Sequence, residues 1–271
     1  MNNIIEVKEL KKNYGSNAVL KGINLRVKKG EIFAILGVNG AGKTTTLECI
    51  EGLRPYDSGM ITVNGKIGIQ LQSSTLQAYI RPMEAVKLYA KWNKTSPNNE
   101  TLRSLGIYDL SNKKYSDLST GQKRRLHLAL ALIGNPEIIF LDEPTAGLDV
   151  EGRVALHNHI RRLKSQGKTI ILASHDMAEV EDLCDRIAVL KNGEIAFIGT
   201  VDEFTAISGK KHLIRITNES GQENYETENI TQTLLDVLLK YKERNLTITD
   251  IKTDKISFEK QFINVVKGEE E

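Results

Sequence analysis

The chain has 271 residues, 40% of them hydrophobic and 27% charged, which allows one large core or a core with a small appendage. Its 37 basic and 35 acidic residues leave a formal charge of +2, which excludes the overall basicity of a general nucleic-acid binder. No apolar run approaches the ~18 to 20 residues that cross a bilayer, and MNNIIEVKEL does not have the layout of a signal peptide.

In chain order, IIEVKEL and AVLKGINLRV read as early strands joined by a polar turn at Gly15. EIFAILG is a short buried strand running into a Gly-rich loop and the helix KTTTLECIEGL. GMITVNG and KIGIQLQ read as two further strands around Gly65. From about residue 81 to 135 the pattern is helical, through MEAVKLYAKW, NETLRSLGIYDL and the helix that follows LSTGQ. Alternation then returns. EIIFLDEP is a strand, VEGRVALHNHIRRLKSQG a helix, KTIILAS a strand, DMAEVEDLCD a helix, and RIAVLKNGEIAFIG a strand pair turning at Asn192-Gly193. Strands alternating with helices predict a largely parallel sheet covered on both faces, interrupted by a helical insert. Beyond residue 208, KHLIRIT and LTITDIKT read as strands flanking the helix TQTLLDVLLKYKERN, with a last helix SFEKQFINVVKG. Cys49 and Cys184 sit in helical patterns without metal-ligand spacing and read as reduced core thiols.

Four stretches carry chemistry. GVNGAGKT, Gly37 to Thr44, fits G-x-x-x-x-G-K-[ST] between a buried strand and a helix. Backbone N–H groups that turn inward around phosphate oxygens require side chains to be absent at Gly37, Gly40 and Gly42. Lys43 then reaches the outer phosphates, and the Thr44 hydroxyl suits Mg²⁺. IIFLDEP ends a hydrophobic strand in two carboxylates. Asp142 suits a direct or water-mediated Mg²⁺ ligand, and Glu143, pointing elsewhere, can poise a water for in-line attack on phosphorus. SHD closes the strand before it, so a parallel sheet places His175 on the same edge as the phosphate loop. His127, His157, His159 and His212 have no such context and read as structural or surface groups. Finally, LSTGQ opens a helix whose N-terminus is a second anion site.

Together these motifs resemble the ATP-binding cassette (ABC) ATPase family. The resemblance covers most of residues 1–207, with GVNGAGKT, LSTGQ, IIFLDEP, AGLD and SHD in the family's order. It implies an α/β P-loop NTPase cassette with a mostly parallel core sheet, an antiparallel β subdomain, an inserted helical subdomain at about 75–135, and a small C-terminal α+β appendage at 208–271. It implies ATP and Mg²⁺. Gly37, Asn39, Gly40, Ala41, Gly42, Lys43, Thr44 and Thr45 would surround the phosphates, and Tyr14 in KKNYG would stack on adenine. Thr44, Gln72 and Asp142 would attend the metal, while Glu143, His175, Gln72 and Lys43 act in hydrolysis. Gln70 is the poorer choice beside Gln72, which leaves the strand.

By the same resemblance, Ser119, Gly121 and Gln122 contact the ATP of a second cassette, and Asp149 in AGLD ties the two cassettes together. The dimer, a homodimer by expectation, closes head to tail around two ATP and drives a separate integral-membrane permease. That places the chain in the cytoplasm, at the inner face of the cell membrane. The permease would dock on the insert near Gln72 to Trp92, and the tail LTITDIKTDKISFEKQFINVVKG resembles cassettes of export-type permeases. No nucleic-acid partner is expected, because cassettes of that kind carry two cassettes, a long coiled coil or zinc-binding insertions. Three features depart from the pattern: Thr120 stands where glycine is usual, the 60–75 region is short, and the helical insert is compact. A β-branched residue at 120 requires a negative φ, as in the first turn of a helix.

Overall fold

The computed structural model describes residues 3–70, 76–207, 212–218, 221–244, 246–255 and 258–267. The chain divides into two compact units, residues 1–198 and 199–271.

In the first unit, β1 (Asn3–Tyr14) pairs antiparallel with β2 (Asn17–Lys28). After β3 (Ile32–Gly37) come α1 (Lys43–Ile50), β4 (Ser58–Val63), which pairs with β1, and β5 (Ile67–Gln70). The helical insert holds α2 (Pro82–Trp92), α3 (Asn99–Ser104) and α4 (Thr120–Ala131). Then follow β6 (Ile138–Asp142), α5 (Val150–Ser165), β7 (Thr169–Ser174), α6 (Met177–Leu183), β8 (Arg186–Lys191) and β9 (Glu194–Thr200). Two sheets result. One is antiparallel, ordered β2-β1-β4, and the other is six-stranded, ordered β5-β6-β7-β3-β8-β9, with parallel pairing from β5 through to β8.

Burial explains the strand types. Every residue of β3, β6 and β7 is buried, so their uninterrupted apolar runs fit a sheet covered on both faces. In β1 and β2 buried and exposed residues alternate, as in a sheet with one wet face. Ile5, Leu10, Leu20 and Ile23 of that sheet join Phe33, Ile35 and Phe140 of the parallel sheet in one core. The β8–β9 turn has Asn192 at φ +51° and Gly193 at φ +83°, the backbone that an Asn-Gly hairpin requires.

The helical pattern read across NETLRSLGIYDL is interrupted. α3 stops at Ser104, Gly106 takes φ +64°, and only a single 3₁₀ turn, Tyr108–Leu110, follows. A left-handed glycine ends a helix at low cost, and the i, i+3 apolar spacing survives across the break.

The second unit holds α7 (Val201–Ile207), β10 (His212–Asn218), β11 (Gly221–Thr227), α8 (Ile230–Glu243), β12 (Ile248–Lys255) and α9 (Phe258–Lys267). Its antiparallel sheet is ordered β11-β10-β12. Ile214, Ile216, Val237 and Tyr241 form its core, where the Tyr241 hydroxyl accepts from Asn218 Nδ2 at 3.0 Å. Phe204 of α7 and Phe258 of α9 lie with ring centroids 5.0 Å apart. The sequence pattern predicts two strands and two helices here; the structure adds β11, the polar run GQENYET, and the short α7. No helix among the described residues is long and apolar enough to cross a membrane.

Candidate nucleotide site

The parallel register brings three strand ends to one edge. Leu36 of β3 faces Ser174 of β7, and Asp142 of β6 faces Ala173. The loop after β3 and the residues following β6 and β7 therefore share the C-terminal edge of the sheet, where ligands of such sheets bind.

The loop is shaped by glycine at two positions above all. A Cβ on Gly37 would lie 2.7 Å from the Leu190 carbonyl oxygen and 2.9 Å from Ala41 Cβ. Gly42 caps α1 at φ +105°, and a Cβ there would meet Leu20 Cδ2 at 2.7 Å. The Thr46 hydroxyl and backbone N–H of α1's first turn both donate to the Gly42 carbonyl at 2.8 Å. Lys43 is 8% exposed and folds back over the loop, donating from Nζ to the Gly37 carbonyl at 2.8 Å and to that of Val38 at 3.3 Å. Burial pulls its pKa down, while Glu143 and Asp142 oppose the shift.

A cavity of about 400 Å³ opens over this loop. Tyr14, Asn39, Gly40, Gly42, Lys43, Thr44, Thr45 and Glu143 line it, while Gly37 and Ala41 are buried in the loop itself. Asn17 and Val19 of β2 line it as well, and no motif in the sequence marks them. Tyr14 is 42% exposed, with Lys12 Nζ and Arg54 Cζ 5.5 and 5.4 Å from its ring centroid.

The carboxylates differ in surroundings. Asp142 Oδ2 accepts from the Thr44 hydroxyl at 3.5 Å, and its Oδ1 is buried without a partner. Burial, then Glu143, pushes its pKa up. Glu143 is buried at φ +49°, a left-handed backbone that costs a non-glycine residue roughly 1–3 kcal/mol. Its Oε2 lies 2.7 Å from His175 Nδ1, and His175 itself is exposed. Arg124, read from sequence as one charge in a basic turn, is close enough to feel both carboxylates. Burial lowers its pKa, and Asp142 and Glu143 raise it. Gln72 lies outside the described residues.

Glu51 closes α1 and is 8% exposed. Burial, followed by Asp142 and Glu48, pushes its carboxyl up to about 7. The folded state then holds this proton where the unfolded chain has released it, so the linked stability is present at low pH and is lost as pH rises towards 7. Glu51→Gln should be more stable than the wild type at pH 8, by up to about 3 kcal/mol, and the gap should close towards pH 4. Thermal unfolding of nucleotide-free protein checks this.

Ser119, Gly121, Gln122 and Asp149 line a second cavity, of about 560 Å³, and not the first. Ser119 caps α4 in a reciprocal box: its hydroxyl accepts from Gln122 N at 3.3 Å, and Gln122 Oε1 accepts from Ser119 N at 3.1 Å. Thr120 is the first residue of α4 and is not among the left-handed residues, as its branching requires. Asp149 caps α5, its Oδ1 accepting from Gly152 N at 2.7 Å. Of the remaining histidines, His127 pairs with the Tyr115 hydroxyl at 2.9 Å, and burial with Arg124 and Lys123 pulls its pKa down to about 4.

A family model described as ABC transporter matches residues 20–146. The linearmycin resistance ATP-binding protein LnrL of Bacillus subtilis is 37% identical over 79% of this chain and 75% of its own length. The Nod factor export ATP-binding protein I of Rhizobium etli is 38% identical over 70% of this chain and 66% of its own. The spermidine/putrescine import ATP-binding protein PotA of Mycoplasma mycoides is 34% identical over 84% and 70%. Among solved structures, a bacterial ABC transporter cassette described as dimeric, MJ0796, superposes with a TM-score of 0.66 at 28% identity, over 72% of this chain and 98% of its own.

Proposed function

The chain belongs to the ABC transporter family, and from that premise we propose that it is the ATP-hydrolysing subunit of an exporter, acting as one of two identical cassettes on a separate membrane permease. One observation carries the reading of the site: Glu143 and His175 in contact at the rim of the phosphate loop, with Ser119 and Gly121 in a different cavity. A site so divided is complete only when a second chain supplies the Ser119 helix N-terminus, with its hydroxyl, amides and dipole, to the γ-phosphate.

In this reading the loop amides and Lys43 hold the phosphates. Lys43 Nζ exchanges the Gly37 and Val38 carbonyls for phosphate oxygens, and its charge offsets that of the transferred group. Glu143 takes the proton of the attacking water as the water oxygen bonds to the γ-phosphorus and the bridging oxygen leaves. His175 keeps the Glu143 carboxylate turned towards that water. Tyr14 offers the adenine a ring face. The orphaned Asp142 Oδ1 beside the Thr44 hydroxyl is a pair of hard oxygen donors that fits Mg²⁺. Mg²⁺ bound by them would neutralise charge between the outer phosphates.

The permease would dock on the insert, where Tyr79 is 77% and Trp92 66% exposed, and would keep the chain at the inner face of the membrane. Relatives named for resistance and for export support the outward direction, as does the tail after residue 245, against a relative named for import. The test is co-purification from detergent-solubilised membranes with ATP turnover measured on the complex. An integral-membrane protein that co-purifies with the cassettes, with turnover raised by it, is the expected result. Recovery with ribosomes or DNA instead, with no membrane protein, overturns the assignment.

A further inference from the structure

The helix α5 is capped by Asp149, the residue read above as facing a second cassette, and two of its side chains reach the His175 turn and the helix α6 that follows it. Arg153 donates from Nη1 to Asp176 Oδ2 at 3.1 Å and from Nε to the Leu148 carbonyl at 3.3 Å. One helical turn further on, His157 Nε2 lies 3.6 Å from Glu179 Oε1, and its Nδ1 lies 3.0 Å from Asp182 Oδ2. The other Glu179 oxygen accepts from the Ser174 hydroxyl at 2.6 Å, and Ser174 Oγ in turn accepts from Asp176 N at 3.1 Å. Ser174 and Glu179 are buried. Asp176 is thus tied directly to α5 by Arg153, and Ser174 is held by Glu179, while His175 itself is exposed and touches Glu143.

We propose that Arg153 is a positioning residue: one guanidinium fixes the loop at Leu148 and the turn at Asp176 together, so that a shift of the Asp149 loop resets the His175–Glu143 contact. The inference rests on the reading of Glu143, His175 and Asp149 given above. Its physical basis is the fork. A planar guanidinium with two donors engaged holds two backbone segments at a fixed separation, which a single ammonium does not. As an exposed ion pair, Arg153–Asp176 adds little to stability, so its effect belongs in geometry and rate. Asp176 also caps α6, accepting from Ala178 N at 3.1 Å and Glu179 N at 3.2 Å, so the turn moves as one piece with that helix.

Arg153→Ala, Arg153→Lys, Asp176→Asn and the double variant Arg153→Ala/Asp176→Asn test it in the full-length dimer, by kcat and KM for ATP and by melting temperature. Asparagine keeps the α6 cap, which separates loss of the bridge from loss of the fold. The expected result is a fall in kcat of about tenfold for Arg153→Ala with KM and melting temperature nearly unchanged. Lysine should recover part of the loss, and the double variant should be no slower than the slower single one, because both break the same link. A wild-type kcat in Arg153→Ala, losses that multiply in the double variant, or a fall in kcat that follows the melting temperature overturns the proposal. If the wild type itself does not turn over ATP and Glu143→Gln does not dimerise with ATP, the functional reading fails and this inference falls with it. If both behave as expected and Arg153→Ala is silent, only the link fails.

Discussion

Glu143→Gln should bind ATP as tightly as the wild type and hydrolyse it about 10²- to 10⁴-fold more slowly, the range that a positioned general base supplies. Glutamine has the same shape and can still face His175 Nδ1, now 2.7 Å from a carboxylate oxygen, but it accepts no proton from water. It also keeps the left-handed backbone at residue 143 no worse satisfied than glutamate does, so folding is not the variable. With the exit step blocked and binding intact, the ATP-bound dimer should accumulate and elute from gel filtration ahead of the monomer. Two measurements on one sample check this: single-turnover hydrolysis and elution volume with and without ATP. A variant that stays monomeric in saturating ATP and hydrolyses at the wild-type rate removes Glu143 from the mechanism.

The second large effect comes from mixing two inactive chains. Lys43→Ala removes the ammonium that, in the proposed site, would face the phosphates, and should lower turnover about 10²- to 10³-fold. Gly121→Asp should do the same from the other cavity, by setting a carboxylate against a bound phosphate. The fold tolerates this change, since a Cβ on Gly121 meets only Leu148 Cδ2, at an ordinary 3.7 Å, and the backbone is helical. If each nucleotide lies between the loop of one chain and the Ser119 helix of the other, a mixed dimer keeps one intact site. Equal amounts of the two variants should then recover roughly a quarter of wild-type turnover, because half of randomly formed dimers are mixed and each has one working site of two. Sites formed within single chains predict no recovery, and an ATPase assay of the mixture against its two parents separates the cases.

What could be read from the sequence follows from where physics fixes residue type. A tight loop between a buried strand and a helix demands glycine at set spacing, so the turn from Gly37 to Gly42 and the start of α1 were legible in the letters. Strands buried on both faces must be continuous apolar runs, so β3, β6 and β7 were equally plain. The chain is less explicit where backbone or distant packing decides. β11 is an edge strand with partly exposed polar residues, and its letters fit a loop as well as a strand. The break after α3 turns on the single left-handed Gly106, within spacing that otherwise reads as helix. Arg124 and Arg153 look like solvent-facing charges in helices, and only the fold sets one beside Asp142 and Glu143 and the other on Leu148 and Asp176. Nothing in the letters of LDEP gives φ +49° at Glu143, a backbone choice imposed by the strand end and held by its N–H on the Ala173 carbonyl at 3.0 Å.

The register of β3 has a consequence for how the chain is made. Ile32 faces Ile170, and Phe33 faces Arg186, so the strand that carries the phosphate loop finds both its neighbours far downstream. Such non-local pairing is slow, and during synthesis it waits on residues not yet translated. The emerging polypeptide owns every residue of GVNGAGKT long before it owns the scaffold that spaces their amides. Nucleotide that binds only the assembled loop should therefore stabilise this chain only once β7 and β8 are available to pair with β3.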